Sequence, residues 1–246
     1  MCSLLVLRGL HRDHPLLVAA NRDERRDRKA SPPGIWHGER RKVLSPRDRV
    51  AGGTWIAVND RCHFAALTNL KGVPPVVDAP SRGHLPHLAL DHDELDEGVD
   101  AVLRRLREHA HSGFHLVVAD AARMVVIRHA GGDVRVVEWG EPVLALTNEH
   151  EPGAVTVRGL AAALQPDLGV DARLDALARP LLDVGDERHH AMLKRGEHYG
   201  TVSSSLIAVP RRDPEQLVWR FAAGAPDATG YRNYGNLGRR LLPGGP

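Results

Sequence analysis

The sequence predicts an α+β chain in which two mainly antiparallel sheets pack together and helices cover them from outside. Three observations carry that expectation. Short runs rich in Val, Ile and Leu recur along the 246 residues. Neighbouring runs are linked by short turns, which favours antiparallel pairing. Helical patterns fall into two separated blocks, so they can cover two faces.

Taken in order, residues 2–8 (CSLLVLR) and 15–21 (PLLVAAN) read as two strands joined by a polar turn at 11–14. Residues 54–59 (TWIAVN) and 63–68 (HFAALT) read as a second hairpin across a polar turn. Residues 72–82 (GVPPVVDAPSR) form a Pro-rich loop. Residues 94–109 set Leu95, Val99, Val102, Leu103 and Leu106 on one helical face. A third strand group follows at 114–120, 124–129 and 134–139, with Gly131-Gly132 turning between the last two, and then a strand at 142–147. Helices are expected at 156–168 and 171–184, the second kinked or ended by Pro180. Strands at 203–209 and 216–222 complete the set. One domain is expected over 1–246, with 235–246 (GNLGRRLLPGGP) as a mobile tail.

Composition bounds the function. Hydrophobic residues make up 42% and charged residues 26%, enough apolar content for a sizeable core. The net charge of +2 gives no case for a nucleic-acid or membrane-surface partner. No run approaches the roughly 18 apolar residues of a membrane span. The N-terminus lacks a signal-peptide layout, so a cytoplasmic protein is expected. Cys2 and Cys62 at this spacing make neither a zinc signature nor an expected disulfide. The Arg-, Ala-, Gly- and Asp-rich composition suggests a GC-rich bacterial genome.

Cys2 is the first residue with chemical interest. Removal of Met1 would leave a thiol and a free α-amine on one residue. An α-amine titrates near about 7.7–8.0 and can act as a base near neutral pH. That is a nucleophile–base pair within a single residue. By position alone, Cys2 also reads as the start of a buried strand. Asn21-Arg22-Asp23-Glu24 follows the second strand directly. If the first two strands pair, this tetrapeptide lies at the Cys2 end. Asp23 could then hold the protonated amine, and Arg22 could favour thiolate. The same stretch also reads as a solvated charge run, because Arg25, Arg26, Asp27 and Arg28 follow. Asn69 and Asn148 each end an ALTN run, where an amide can donate to an oxyanion or cap a turn. Gly52-Gly53 allows close backbone approach before Thr54 and Trp55, and Trp55 could wall a pocket or fill the core. Arg82 could bind a carboxylate or phosphate, or simply be solvated.

Met1-Cys2, PLLVAANRDE, Ala51-Gly52-Gly53-Thr54-Trp55, Ala66-Leu67-Thr68-Asn69, Ser81-Arg82-Gly83, Gly113-Phe114, Thr147-Asn148 and Tyr199-Gly200-Thr201 occur in that order. Together they resemble the NRDE family, also known as the transport-and-Golgi-organisation-two family. The resemblance covers most of the chain. It implies an αββα fold of the N-terminal-nucleophile (Ntn) hydrolase type, related to cysteine amidases that cleave penicillin V and conjugated bile salts. It further implies Cys2 as nucleophile, supported by Arg22 and Asp23, with Asn69 and Asn148 at the oxyanion. Asn21 is the alternative to Arg22. Asn21, Glu24, Gly53, Thr54, Trp55 and Arg82 would contact substrate.

Two positions depart from the family pattern. Val202 stands where an Arg is expected after Tyr-Gly-Thr, and His115 stands where an Asn is expected after Gly-Phe. No third ligand joins the His84/His87 or His189/His190 pairs, so no metal is expected. The expectation is therefore a cysteine amidohydrolase acting on a small acyl amide, with no required cofactor. The alternative that the resemblance implies is a non-catalytic carrier of haem or an acyl lipid. The chain has no CxxCH motif, so a His, Cys or Met would have to be the axial ligand.

Overall fold

The computed structural model describes residues 2–242. In chain order they form β1 (Cys2–Arg8), β2 (Leu16–Arg25), β3 (Ala30–His37), β4 (Lys42–Asp48), β5 (Ile56–Asn59) and β6 (Phe64–Asn69). Helices α1 (Leu85–Leu90) and α2 (Leu95–Glu108) follow. Then come β7 (Phe114–Ala119), β8 (Met124–Ala130), β9 (Asp133–Glu138), β10 (Val143–Leu146) and α3 (Val170–Ala178). The chain continues with β11 (Tyr199–Val209), β12 (Val218–Ala222), β13 (Arg232–Asn233) and the short α4 (Gly238–Leu241).

One sheet has the order β10-β1-β2-β11-β12-β13 and the other the order β3-β4-β5-β6-β7-β8-β9. Pairing is antiparallel in both. Leu4 and Val6 of β1 point between the sheets, among Leu16, Val18, Phe64, Val117 and Ile207. Leu5 and Leu7 point the other way, to Leu174 and Leu177 of α3. A strand covered on both faces must be apolar on both, which is why CSLLVLR reads as an unbroken run. On the far side of the second sheet, Ala57, Leu116 and Ile127 pack against Leu85, Leu90, Val99 and Val102 of α1 and α2. The result is the four-layer αββα sandwich. No helix among the described residues is long and apolar enough to cross a membrane.

Several elements differ from the sequence expectation. β2 does not stop at Asn21 but carries the charged tetrapeptide on to Arg25, because it is zipped between β1 and β11 on both edges. β3 and β4 were hidden by Pro32, Pro33 and Pro46. Proline cannot donate to a ladder, and the β3–β4 register shifts between Ser31 and Gly34, where two of the prolines lie. The helix expected at 156–168 is only a 3-10 turn over Leu160–Leu164, begun by Gly159 at φ +77°. The helix expected at 171–184 is Val170–Ala178: it ends ahead of Pro180, as that proline implied, and only its far bound differs. The tail expected to be mobile is folded over 235–242: α4 docks Leu241 fully buried in the inter-sheet core. Residues 243–246 of that tail, and Met1, lie outside the described residues.

Candidate active site

Strand alternation sets the site. Leu4 and Val6 face the space between the sheets, so Cys2 faces it too. Cys2 is paired directly with Arg22. Leu16, Val18 and Ala20 of β2 line the same space, and Arg22 continues that row. At this end the apolar core gives way to a cavity of about 280 Å3. Its lining includes Cys2, Arg22, Asp23, Glu24, Gly53, Thr54, Trp55, Asn69 and Arg82, residues from both sheets and two loops.

Two expected residues are placed elsewhere. Asn148 lines an adjoining cavity of about 370 Å3, which shares Glu24, Asn69 and Arg82 with the first. Leu4 pairs with Leu146, and the same register carried two residues on sets Cys2 level with Asn148. Asn21 is corrected: it sits on the opposite face of β2, fully buried, and donates to the carbonyls of Leu181 and Met192 at 2.9 Å. It pins the outer helical layer and does not reach the cavity.

Arg22 is nearly fully buried, with its guanidinium carbon 4.5 Å above the Trp55 ring. Its Nη2 lies 3.4 Å from Asp48 Oδ2 and 3.8 Å from Glu24 Oε2. Arg28 donates through Nε to the same Asp48 oxygen at 2.7 Å. Asp48 Oδ1 accepts from the N–H groups of Val50 and Ala51 at 2.9 and 3.2 Å. Burial opposes ionisation of Asp48, but Arg28 and those N–H groups outweigh it and hold the carboxyl below its usual range. Asp48 therefore ties the Arg pair to the loop that carries Gly53 and Trp55.

Asp23 lies one residue on and is almost fully buried. Burial pushes its carboxyl up to about 6, against a hydrogen bond that Thr201 Oγ1 donates to Oδ1 at 2.6 Å. The backbone N–H of Lys194 donates to Thr201 Oγ1, which completes a short relay. The Cys2 thiol is raised by burial, and Arg22 works in the opposite direction. The Arg82 guanidinium is lowered by burial, opposed by Cys2 and Glu24. The Thr54 hydroxyl donates to the carbonyl of Ile56 at 3.0 Å, so Thr54 contributes shape and its hydroxyl is spent within the chain.

Sequence reasoning missed Arg28, Asp48, Ser81, Gly83 and Thr201. Arg28 was hidden in a charge run, and Asp48 in a strand disguised by proline. Thr201 stood in the quoted Tyr-Gly-Thr motif without a role. Val202 falls at the register shift between Thr201 and Ser203, where β11 bulges beside Asp23 and Arg22. His115 is fully buried on β7, paired with Thr68 and outside the cavity lining. Among the described residues no group of three His, Cys, Asp or Glu side chains converges as a metal site.

Comparison with known proteins places this geometry. A family model described as Transport and Golgi organisation 2 matches residues 1–165. The Transport and Golgi organization protein 2 homolog of Bos taurus is 28% identical over 235 residues, covering 79% of this chain and 82% of that protein. The Mus musculus homolog is 34% identical over 112 residues, covering 43% of this chain and 38% of its own length. Among solved structures, conjugated bile acid hydrolase from Clostridium perfringens superposes with a TM-score of 0.51 at 11% identity, covering 95% of this chain and 92% of that one. A Caenorhabditis elegans N-acylethanolamine-hydrolyzing acid amidase ortholog gives 0.53 at 13% identity, covering 84% and 92%. At these identities the likeness shows the Ntn-hydrolase-like fold.

Proposed function

The chain belongs to the Transport and Golgi organisation 2 family, and from that premise and the cavity around Cys2 we propose that it is an N-terminal-nucleophile cysteine amidohydrolase acting on a small acyl amide. The observation that carries the reading is the convergence of Cys2, Arg22, Asp23 and Asn69 on one cavity at the end of β1 and β2. The neighbouring folds belong to amide-hydrolysing enzymes, which supports the reaction class.

In this reading Met1 is removed and the new α-amine of Cys2 takes the thiol proton. The thiolate attacks the amide carbonyl, and the developing oxyanion is met by Asn69 and Asn148. Expulsion of the amine, which takes a proton from the α-ammonium, leaves a thioester on Cys2. Water then cleaves the thioester and regenerates the thiol. Arg22 favours thiolate, and Asp23, ionised above about 6, holds the ammonium form of the N-terminus. Haem fits the cavity poorly: among the described residues its lining offers Cys2 as the one axial donor and contains no histidine.

Intact-mass measurement tests the proposal. The expected result is loss of Met1 and one acyl adduct after exposure to an activated acyl probe, absent in Cys2→Ala. Active protein that retains Met1 would sink it.

A further inference from the structure

We propose that the substrate of the Cys2 site carries a carboxylate, and that Arg82 is the residue that binds it. The proposal rests on the hydrolase reading for the word substrate, but its geometry stands on Arg82 alone.

Consider the cations of the two adjoining cavities. Arg22 and Arg28 share Asp48 and Glu24. Lys71 is paired with Glu149. Arg82 lines both cavities and has no carboxylate partner among the described residues. Its Nη1 donates to the Gly113 carbonyl at 2.6 Å, and its other N–H groups make no hydrogen bond among the described residues. A half-buried guanidinium with one backbone acceptor leaves most of its donor fork unused, and that fork matches a carboxylate in bidentate fashion.

The fork is also held rigidly. Gly83, the next residue, accepts from the Thr54 N–H at 2.8 Å. A Cβ on Gly53 would come within 2.3 Å of the Gly83 carbonyl carbon, so the two loops touch backbone to backbone. Ser81 Oγ accepts from the Gly83 N–H at 3.3 Å. A donor fixed before the ligand arrives loses little entropy on binding. One open fork, with Arg22, Arg28 and Lys71 already paired, suits a monoanionic carboxylate better than a dianionic phosphate. The cavity of about 280 Å3 lies just below the roughly 300–1,000 Å3 usual for ligand sites, so the acid must be short. Because Arg82 stands where the two cavities meet, the reacting carbonyl sits beside Cys2 with the carboxylate a few bonds away.

The test is protection of Cys2 from iodoacetamide by N-methylsuccinamic acid and by its neutral counterpart N-methylsuccinamide. The acid should protect at about tenfold lower concentration, the worth of a charge-assisted hydrogen bond. Arg82→Gln should reduce that preference to none, and Arg82→Lys should keep part of it. Equal protection by acid and amide, no protection by either, or an unchanged preference in Arg82→Gln would each overturn the proposal. The assay needs no turnover. A failed acyl adduct in the mass experiment would therefore remove the hydrolase and leave carboxylate recognition to be decided here.

Discussion

Two clefts of this molecule are each walled by a tryptophan beneath an arginine, yet they differ in kind. In the Cys2 cavity Arg22 lies over Trp55 at 4.5 Å, and in a cleft between β3, α1 and α2 Trp36 lies under Arg47 at 4.2 Å. The second cleft is the larger, about 650 Å3 against about 280 Å3. Among the described residues its lining holds no Cys, Ser or Thr, and Arg47 is exposed without an ion pair. Arg22 is buried, shared by two carboxylates and paired across β1 with a thiol. On the proposed reading, volume does not locate the chemistry; desolvated, mutually braced charges beside a thiol do.

The largest expected effect breaks the comparison outright. Cys2→Ala should lower amide turnover by about a thousandfold or more, as loss of a covalent nucleophile does. His87→Gln, in the larger cleft, should leave turnover within about twofold. A loss of comparable size in His87→Gln would put the chemistry in the wrong cleft.

The next effect separates the clefts by the sign of their pH dependence. Asp23 has a carboxyl raised from 3.8 to about 6 by burial. Between those values the folded chain keeps a proton that the unfolded chain has released. The stability from this group is complete below about 4 and is lost as pH rises through about 6. The span corresponds to on the order of 3 kcal/mol. His87 behaves oppositely: burial pushes its ring from 6.5 down to about 4 beside Ser45 Oγ at 2.9 Å. Its contribution is present above about 6.5 and is lost as pH falls toward about 4. Between about pH 4 and pH 6 the urea midpoint, relative to the parent chain, should rise with pH in Asp23→Asn and fall with pH in His87→Gln. Alkylation of Cys2 should also lose any inflection near pH 6 in Asp23→Asn.

A smaller effect sharpens the claim that the Cys2 cavity is braced through backbone contact. Gly53→Ala drives a Cβ into Gly83, which should cost about 1–3 kcal/mol and displace Arg82. Gly34→Ala, in β3 near the other cleft, meets nothing within 4 Å and should be nearly silent. Thermal midpoints of the two variants decide the point. Equal midpoints would mean that the loops can part freely.

The same contrast explains what the sequence could and could not reveal. Cys2, Arg22 and Asp23 were legible because β1 and β2 are apolar on both faces and joined by a short turn, so their common end follows from simple pairing. Asn69 and Trp55 were legible for the same reason in β5 and β6. The brace was not. Asp48 lies on β4 behind Pro46, and β3 carries Pro32 and Pro33, so neither pattern reads as a strand. Pairing with β5 fixes β4 despite its proline. Asn21 was misplaced by a single residue of alternation, which in a strand means the opposite face. The helix expected at 156–168 failed at Gly159, whose left-handed φ of +77° no periodicity discloses.

The smallest prediction measures the two arginine–tryptophan pairs directly. A guanidinium over an indole is worth about 0.5–1 kcal/mol when exposed and about 2 kcal/mol when desolvated. Double-mutant cycles isolate that coupling from the loss of packing that any Trp substitution brings. Arg22→Met with Trp55→Leu should therefore couple about twice as strongly as Arg47→Met with Trp36→Leu. Asp48 complicates the first cycle, since it holds Arg22 whether or not Trp55 is present. Repeating the cycle in Asp48→Asn separates the two causes. If the coupling falls with Asp48 removed, the carboxylate is what keeps Arg22 over the ring and beside Cys2. If it persists, stacking alone positions the guanidinium, and Asp48 serves the loop that carries Gly53.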